Sequence, residues 1–264
     1  MKLGLIGNGA IARYAAQSLK SLGHDVAAIL VRPNRVDDVR AIYGSDVVVV
    51  SAIAQMPSDL DLIVECAGHQ ALHQYGAEAL QSGFSVVTVS IGALADQALA
   101  TALQEAATRG QSALHLASGA IGGLDALRAA RAGALSEVRY IGRKPPLGWR
   151  GSPAEDVLDL DQPMTQAQTH FTGTAREAAL AYPKNANVAA AVALSSLGLD
   201  DTQVALIADP TVTTNIHEVH ATGAFGTLHV TISGNALPEN PKSSALAAMS
   251  VVSKVEDLAR AIRF

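Results

Sequence analysis

Three groups of residues in this chain have the types and spacing to do chemistry on a small polar molecule. The first is Gly7-Asn8-Gly9-Ala10-Ile11-Ala12, a Gly-x-Gly-x-x-Ala run that directly follows the apolar segment Lys2 to Ile6. Between a strand and a helix such a run holds a pyrophosphate, its plain alternative being a purely structural turn. Gly7 permits the tight turn, Gly9 lets phosphate oxygens approach the backbone, and Ala12 lets helix and strand pack closely. The N–H groups at Ala10 and Ile11, at the positive end of that helix, then face the anion. The second group is Cys66-Ala67-Gly68-His69, at the carboxyl end of another apolar run, where a dinucleotide crosses a parallel sheet. The third is His217-Glu218-Val219-His220 in an extended run. Alternation sets His217 on the opposite face from Glu218 and His220. An imidazole titrates close to working pH and can exchange a proton with a reacting group, its plain alternative being a hydrogen-bonded structural side chain.

Several single residues qualify this picture. A site strict for NAD places Asp or Glu at the end of the second strand to meet the adenosine ribose, but here the sequence reads Val31-Arg32-Pro33-Asn34-Arg35. Arg32 can hold a 2′-phosphate, stack on adenine, or stand solvated, so NADP stays open beside NAD. Cys66 reads as a small buried hydrophobe rather than a nucleophile. Asn187 suits a helix N-cap, and equally an amide that holds a nicotinamide carboxamide or a substrate oxygen.

The elements that must position these groups fall in two sets. Strand and helix patterns alternate at short spacing over about the first 116 residues, which predicts a doubly wound parallel sheet with helices on both faces. After Ser118 the pattern changes. A glycine-rich turn leads to a helix from Leu124 to Arg131, a strand from Ser136 to Gly142 ended by Pro145-Pro146, and helices from Thr174 to Tyr182 and Asn187 to Leu197. Extended runs follow at Gln203 to Ala208, Ile216 to Thr222 and Gly226 to Ile232, the last two as a hairpin. The expected fold is α/β: a Rossmann domain at 1–117, joined by about 240–264 as a returning C-terminal helix, and an α+β substrate and dimerisation domain at 118–239.

Composition narrows the function classes. Of 264 residues, 49% are hydrophobic and 16% charged, and the net charge is -5. The longest basic cluster is Arg143-Lys144, a poor surface for a polyanion, so no nucleic-acid partner is expected. One cysteine leaves no internal disulfide and no cysteine-built metal cage, no metal is expected, and a reducing cytoplasmic setting is the natural home. The opening MKLGLIGNGA is too short and glycine-rich for a signal segment, and Val188 to Leu199 is too short to span a bilayer, so no membrane association is expected.

Longer motifs carry a resemblance. GNGAIA, VECAGH, VSIGAL, SGAIGGLDAL, YIGRKPP, YPKNANVAA, LIADP, NIHEVHATGAFG and NPKSSALAAMSVV run through essentially the whole chain, which resembles the L-aspartate dehydrogenases that supply iminoaspartate for pyridine nucleotide biosynthesis. The resemblance implies a catalytic histidine at His217, cofactor contacts at Asn187 and Ala120, use of NAD or NADP, and a homodimer. It implies reversible oxidation of L-aspartate through 2-iminosuccinate to oxaloacetate and ammonia. A substrate with two carboxylates needs cations in a dry pocket. Arg143 and Lys144 are the leading candidates, Arg143 first because a guanidinium suits a bidentate contact, with Lys184 behind them. Solvated loop cations are the alternative. Rival readings are a reductase of another small carboxylate, resembling homoserine dehydrogenase or dihydrodipicolinate reductase, and a dinucleotide-binding protein without turnover.

Overall fold

The Val-, Ile- and Leu-rich runs become short strands because a residue buried on both sides of a sheet needs no polar face. The computed structural model describes residues 1–183 and 186–263, the side chains of residues 241 and 242 apart. Two compact units divide the chain, Met1–Ala117 with Ala247–Phe264, and Ser118–Leu246.

The first unit alternates β1 (Lys2–Ile6), α1 (Ala10–Ser21), β2 (Asp25–Leu30), α2 (Val36–Tyr43), β3 (Val48–Val50), β4 (Leu62–Glu65), α3 (His69–Gln81), β5 (Val86–Thr88), α4 (Gln97–Gly110) and β6 (Leu114–Leu116). The strands lie in the order β3-β2-β1-β4-β5-β6, each pair parallel. This is the doubly wound arrangement, with its switch point between β1 and β4, where a ligand crevice opens. Leu3, Leu5, Ile29, Leu62 and Val64 point to one face, against Ala12, Ala16 and Leu19 of α1. Ile6, Ala28, Leu30 and Ile63 point to the other, against Leu72, Ala79 and Leu80 of α3 and Leu103 of α4. The Asp96 carboxylate caps α4 by accepting from the N–H groups of Ala98 and Leu99.

The second unit contains α5 (Leu124–Ala130), β7 (Leu135–Lys144), β8 (Gln168–Thr174), α6 (Ala175–Ala181), α7 (Asn187–Leu194), β9 (Gln203–Ala208), β10 (Asn215–Gly223), β11 (Gly226–Gly234) and a small hairpin of β12 (Ala236–Leu237) with β13 (Asn240–Ser244). Its main sheet runs β11-β10-β7-β9-β8; only the β7/β9 pair is parallel. Val138, Tyr140, Val204, Leu206, His217, Val219 and Ala221 share its buried inner face, on which α6 and α7 pack. A reciprocal capping box between Thr174 and Glu177 starts α6 as soon as β8 ends.

Three features depart from the sequence expectation. β7 runs on to Lys144 instead of stopping at Gly142, β8 was not foreseen, and neither was the β12–β13 hairpin. The last helix, α8 (Ala245–Ala259), returns to the first unit, where Val251 and Val255 are wholly buried beside Leu3 and Leu5. Glu256 of α8 also bonds His24 Nε2, whose Nδ1 meets the N-terminal ammonium at 3.2 Å. No helix among the described residues is long and apolar enough to cross a membrane.

Candidate active site

The glycine-rich turn after β1 has the geometry that a pyrophosphate needs. Gly7 sits at φ +104°, where a side chain is strained, and a Cβ there would lie 2.8 Å from the Ala67 Cβ. At Gly9 a Cβ would meet nothing within 4 Å, so the space in front of that backbone is open. Gly9 is the N-cap of α1 and contributes no side-chain cap, and the first turn holds no acidic residue. The N–H groups of Ala10 and Ile11 are therefore left for an anion. Gly7, Asn8, Gly9, Arg32, Cys66 and Ala67 line one cleft of about 430 Å³ in the first unit. That cradle fits a dinucleotide.

The cleft is cationic beyond the end of β2. Arg32 and Arg35 both line it, and among the described residues no carboxylate does. Arg35 is tied to Asp38 at 3.2 Å. On the other wall the loop after β4 is organised by Glu65, a wholly buried residue that the sequence reading passed over. Its carboxyl oxygens accept from the N–H groups of Ala67 (2.6 Å) and Gly68 (2.9 Å) and from the Thr88 hydroxyl (2.6 Å). Gly68, at φ +102°, then turns the chain into α3. Burial raises the Glu65 pKa and, with the Glu65 charge beside it, pushes the Cys66 thiol well above its usual range. Cys66 is thus a cleft wall and no thiolate nucleophile.

The second unit gathers its candidate chemistry on the inner face of its sheet. His217, 5% exposed, points inward from β10, and its Nδ1 lies 2.7 Å from the Tyr140 hydroxyl on neighbouring β7. Burial lowers the His217 pKa to about 4, helped by the Lys144 charge, so the ring is neutral at working pH. With Nδ1 engaged, Nε2 is the nitrogen that remains for a substrate. Lys144 shares the parity of Tyr140 and Gly142, which puts it on the same face. Its half-buried ammonium stands over the Trp149 ring at 4.8 Å, and burial lowers its pKa to about 8.

His170, absent from the sequence candidates, joins this group. The β8/β9 register slips between Thr169 and Phe171, so His170 sits in a bulge, a device that re-aims a side chain. The ring packs edge-on to Trp149 at 4.4 Å, and its Nδ1 lies 3.2 Å from the Tyr182 hydroxyl. Its Nε2 is the one buried side-chain nitrogen or oxygen among the described residues without a hydrogen-bond partner. Such an orphan costs about 1–3 kcal/mol in a protein interior. Burial, with Lys144 nearby, lowers the His170 pKa to about 4.

The ranking of Arg143 ahead of Lys144 has to be corrected. Because β7 extends through both residues, they lie on opposite faces, and Arg143 takes the outer one. There it binds Asp209 at 2.8 Å and approaches Glu218 at 3.6 Å. Thr211 holds the Asp209 carboxylate from its other side, and these bonds keep its pKa low. Glu218, His220 and His229 also share the outer face, with donor atoms within 4.8 Å of one another. The adjoining guanidinium disfavours a cation there, and the cluster faces away from His217.

Asn187 is the first residue of α7, with Ala186 at the N-cap and no side-chain cap, so its reading as a capping residue does not hold. Ala120 is buried in the turn between Gly119 (φ +73°) and Gly123 (φ +73°). Lys184 lies outside the described residues.

Comparison with known proteins follows the same division. Residues 3–117 match the family described as homoserine dehydrogenase, NAD binding domain, and residues 125–258 match aspartate dehydrogenase, C-terminal. The chain is 52% identical to the L-aspartate dehydrogenase of Ruegeria pomeroyi, covering 100% of this chain and 94% of that one. With the L-aspartate dehydrogenase of Cupriavidus necator it shares 45% identity over 99% of both. The crystal structure of aspartate dehydrogenase from Thermotoga maritima superposes with a TM-score of 0.78 at 27% identity, covering 100% of this chain and 99% of that one. A nucleotide-binding module of a type shared with homoserine dehydrogenases is thus joined to a second unit specific to another family, and the chain belongs to the L-aspartate dehydrogenase family.

Proposed function

We infer that this protein oxidises L-aspartate with NAD(P)+ to 2-iminosuccinate, which water converts to oxaloacetate and ammonia, and that it runs the reverse amination as well. The observation that carries the reading is the buried, neutral His217 held by Tyr140 on the same sheet face as Lys144. When bound, the nicotinamide supplies the hydride acceptor. The protein's task is to align the α carbon with it and to manage protons and carboxylates.

In the oxidative direction the substrate nitrogen must shed a proton before the Cα–H bond breaks, and His217 Nε2 takes it. A hydroxyl both donates and accepts, so Tyr140 serves the neutral ring and the imidazolium alike. Substrate carboxylates beside the ring raise its proton affinity toward the working range. In the reverse direction the imidazolium returns the proton as the imine becomes an amine. Lys144 supplies charge for a carboxylate. Family likeness makes Asn187 and Ala120 candidates for cofactor contact, and Gly7, Gly9, Ala10, Ile11, Arg32, Cys66, Ala67 and Gly68 form the cradle of the first unit.

Family membership supports a homodimer and a cytoplasmic setting. Light scattering checks the first, and a mass of one chain contradicts it. A substrate panel tests the chemistry. Reduction of NAD(P)+ with L-aspartate and equimolar ammonia release, but none with homoserine, is expected. Turnover of homoserine alone, or of neither with dinucleotide bound, sinks the reading.

A further inference from the structure

We propose that His170 is a substrate-binding residue whose Nε2, together with the Lys144 ammonium, receives the side-chain carboxylate of a four-carbon dicarboxylate. The proposal rests on the reading of the protein as an aspartate dehydrogenase and adds the subsite that selects for a second carboxylate.

The inner face carries His217 on β10, Lys144 on the adjoining β7 and His170 on β8, beyond β9. Strands lie about 4.8 Å apart, so the two histidine backbones are roughly 14 Å apart with the lysine between them. The reacting carbon belongs at His217. A group held between Lys144 and His170 is therefore the distal end of the substrate.

His170 is 7% exposed and leaves Nε2 without a partner among the described residues, although Nδ1 is satisfied by Tyr182. A folded chain keeps a buried orphan of this kind at a loss, and a ligand oxygen at that atom removes the loss. The nearby charge is positive: Lys144 lies close enough to oppose protonation of both His170 and His217. Two nitrogens that disfavour each other's protons become mutually compatible once an anion stands between them. The remaining neighbours, Trp149, Phe171 and Tyr182, are aromatic, and Trp149 and Tyr182 are buried. Asp156 is the acidic group near this cluster, and it acts on the Tyr182 hydroxyl. The bulge brings His170 and Phe171 both into contact with Tyr182, which regular alternation along a strand forbids for adjacent residues.

The test uses the dinucleotide-loaded enzyme with succinate, which has both carboxylates and no amine, and butyrate, which has one. For His170→Phe, succinate binding measured by calorimetry is expected to weaken by about tenfold or more, consistent with loss of a charge-assisted hydrogen bond. Butyrate and dinucleotide affinities should stay as in wild type, and His170→Gln, which keeps an N–H donor on the side chain, should recover much of the succinate affinity. Equal weakening of succinate and butyrate, or no weakening, overturns the proposal. Should His170→Phe fail to fold, the wild-type titration decides: the His170 ring resonances should shift their titration upward by about one pH unit or more at saturating succinate. An unmoved titration overturns the proposal. Aspartate turnover is measured separately on the wild type. Its absence refutes the dehydrogenase reading, whereas normal turnover with a His170 indifferent to succinate refutes only the subsite.

Discussion

Among single residues, the chemistry depends on which side chains share a sheet face with His217. Tyr140 is the closest, and Tyr140→Phe leaves His217 Nδ1 buried without its 2.7 Å partner. A loss of about 1–3 kcal/mol is expected, read as a fall in kcat/KM of about fivefold to a hundredfold with dinucleotide affinity unchanged. An unchanged kcat/KM would remove Tyr140 from the mechanism. Lys144 gives a pH signature. Its ammonium loses a proton at about 8, so succinate binding should weaken as pH rises through that value, and Lys144→Met should be weak and flat across it. In the adenosine cleft, Arg32→Ala should weaken NADPH more than NADH, by several-fold in fluorescence titrations; equal effects would leave Arg32 a solvated cation. Strand alternation in His217-Glu218-Val219-His220 was enough to set His217 on a face apart from Glu218 and His220, while its expected role came from the family resemblance. Choosing between Arg143 and Lys144 needed more. With β7 ended at Gly142 both belong to a loop and can turn either way, but a strand reaching Lys144 forces them apart.

At the scale of elements, strands with apolar runs were legible and β8 was not. Gln168-Thr-His-Phe-Thr-Gly-Thr has one strongly apolar residue, and its bulge breaks the period of two on which strand recognition rests. His170 was invisible for the same reason: its significance comes from Trp149, Tyr182 and Lys144, all distant in sequence from a strand that no pattern announces. The helix after Gly68 starts at His69, where Glu65 reaches forward to accept from the N–H groups of Ala67 and Gly68 and so orders the turn before it. Helix α8 is a case where apolar pattern and packing agree. Val251→Ala or Val255→Ala removes two carbons from a wholly buried position, at a cost of about 2 kcal/mol each in chemical denaturation. A change under a few tenths of that figure would mean α8 is not part of the first unit's core.

Across the whole molecule, two buried neutral imidazoles give stability a pH dependence. His170 and His217 titrate near 4 in the folded chain against 6.5 for a free imidazole. Between those values the unfolded chain binds more protons, so stability is complete above about pH 6.5 and is lost as pH falls toward 4. Thermal midpoints should decline across that window, and less steeply in His170→Phe; a flat profile would show that neither ring is buried neutral. On the proposed function the units divide the chemistry: the first would offer backbone N–H groups to a dinucleotide, and the second an imidazole and a lysine to a substrate. The central claim is that His217 handles the proton that accompanies hydride transfer. Its most direct test follows the loss of nicotinamide absorbance with oxaloacetate and excess ammonia in wild type and His217→Ala, with dinucleotide affinity measured in parallel. Ammonia-dependent oxidation that falls by about a hundredfold or more in the variant, at unchanged dinucleotide affinity, is the predicted result. Wild-type rates in His217→Ala, or a wild type that never oxidises the dinucleotide whatever the ammonia concentration, would contradict it.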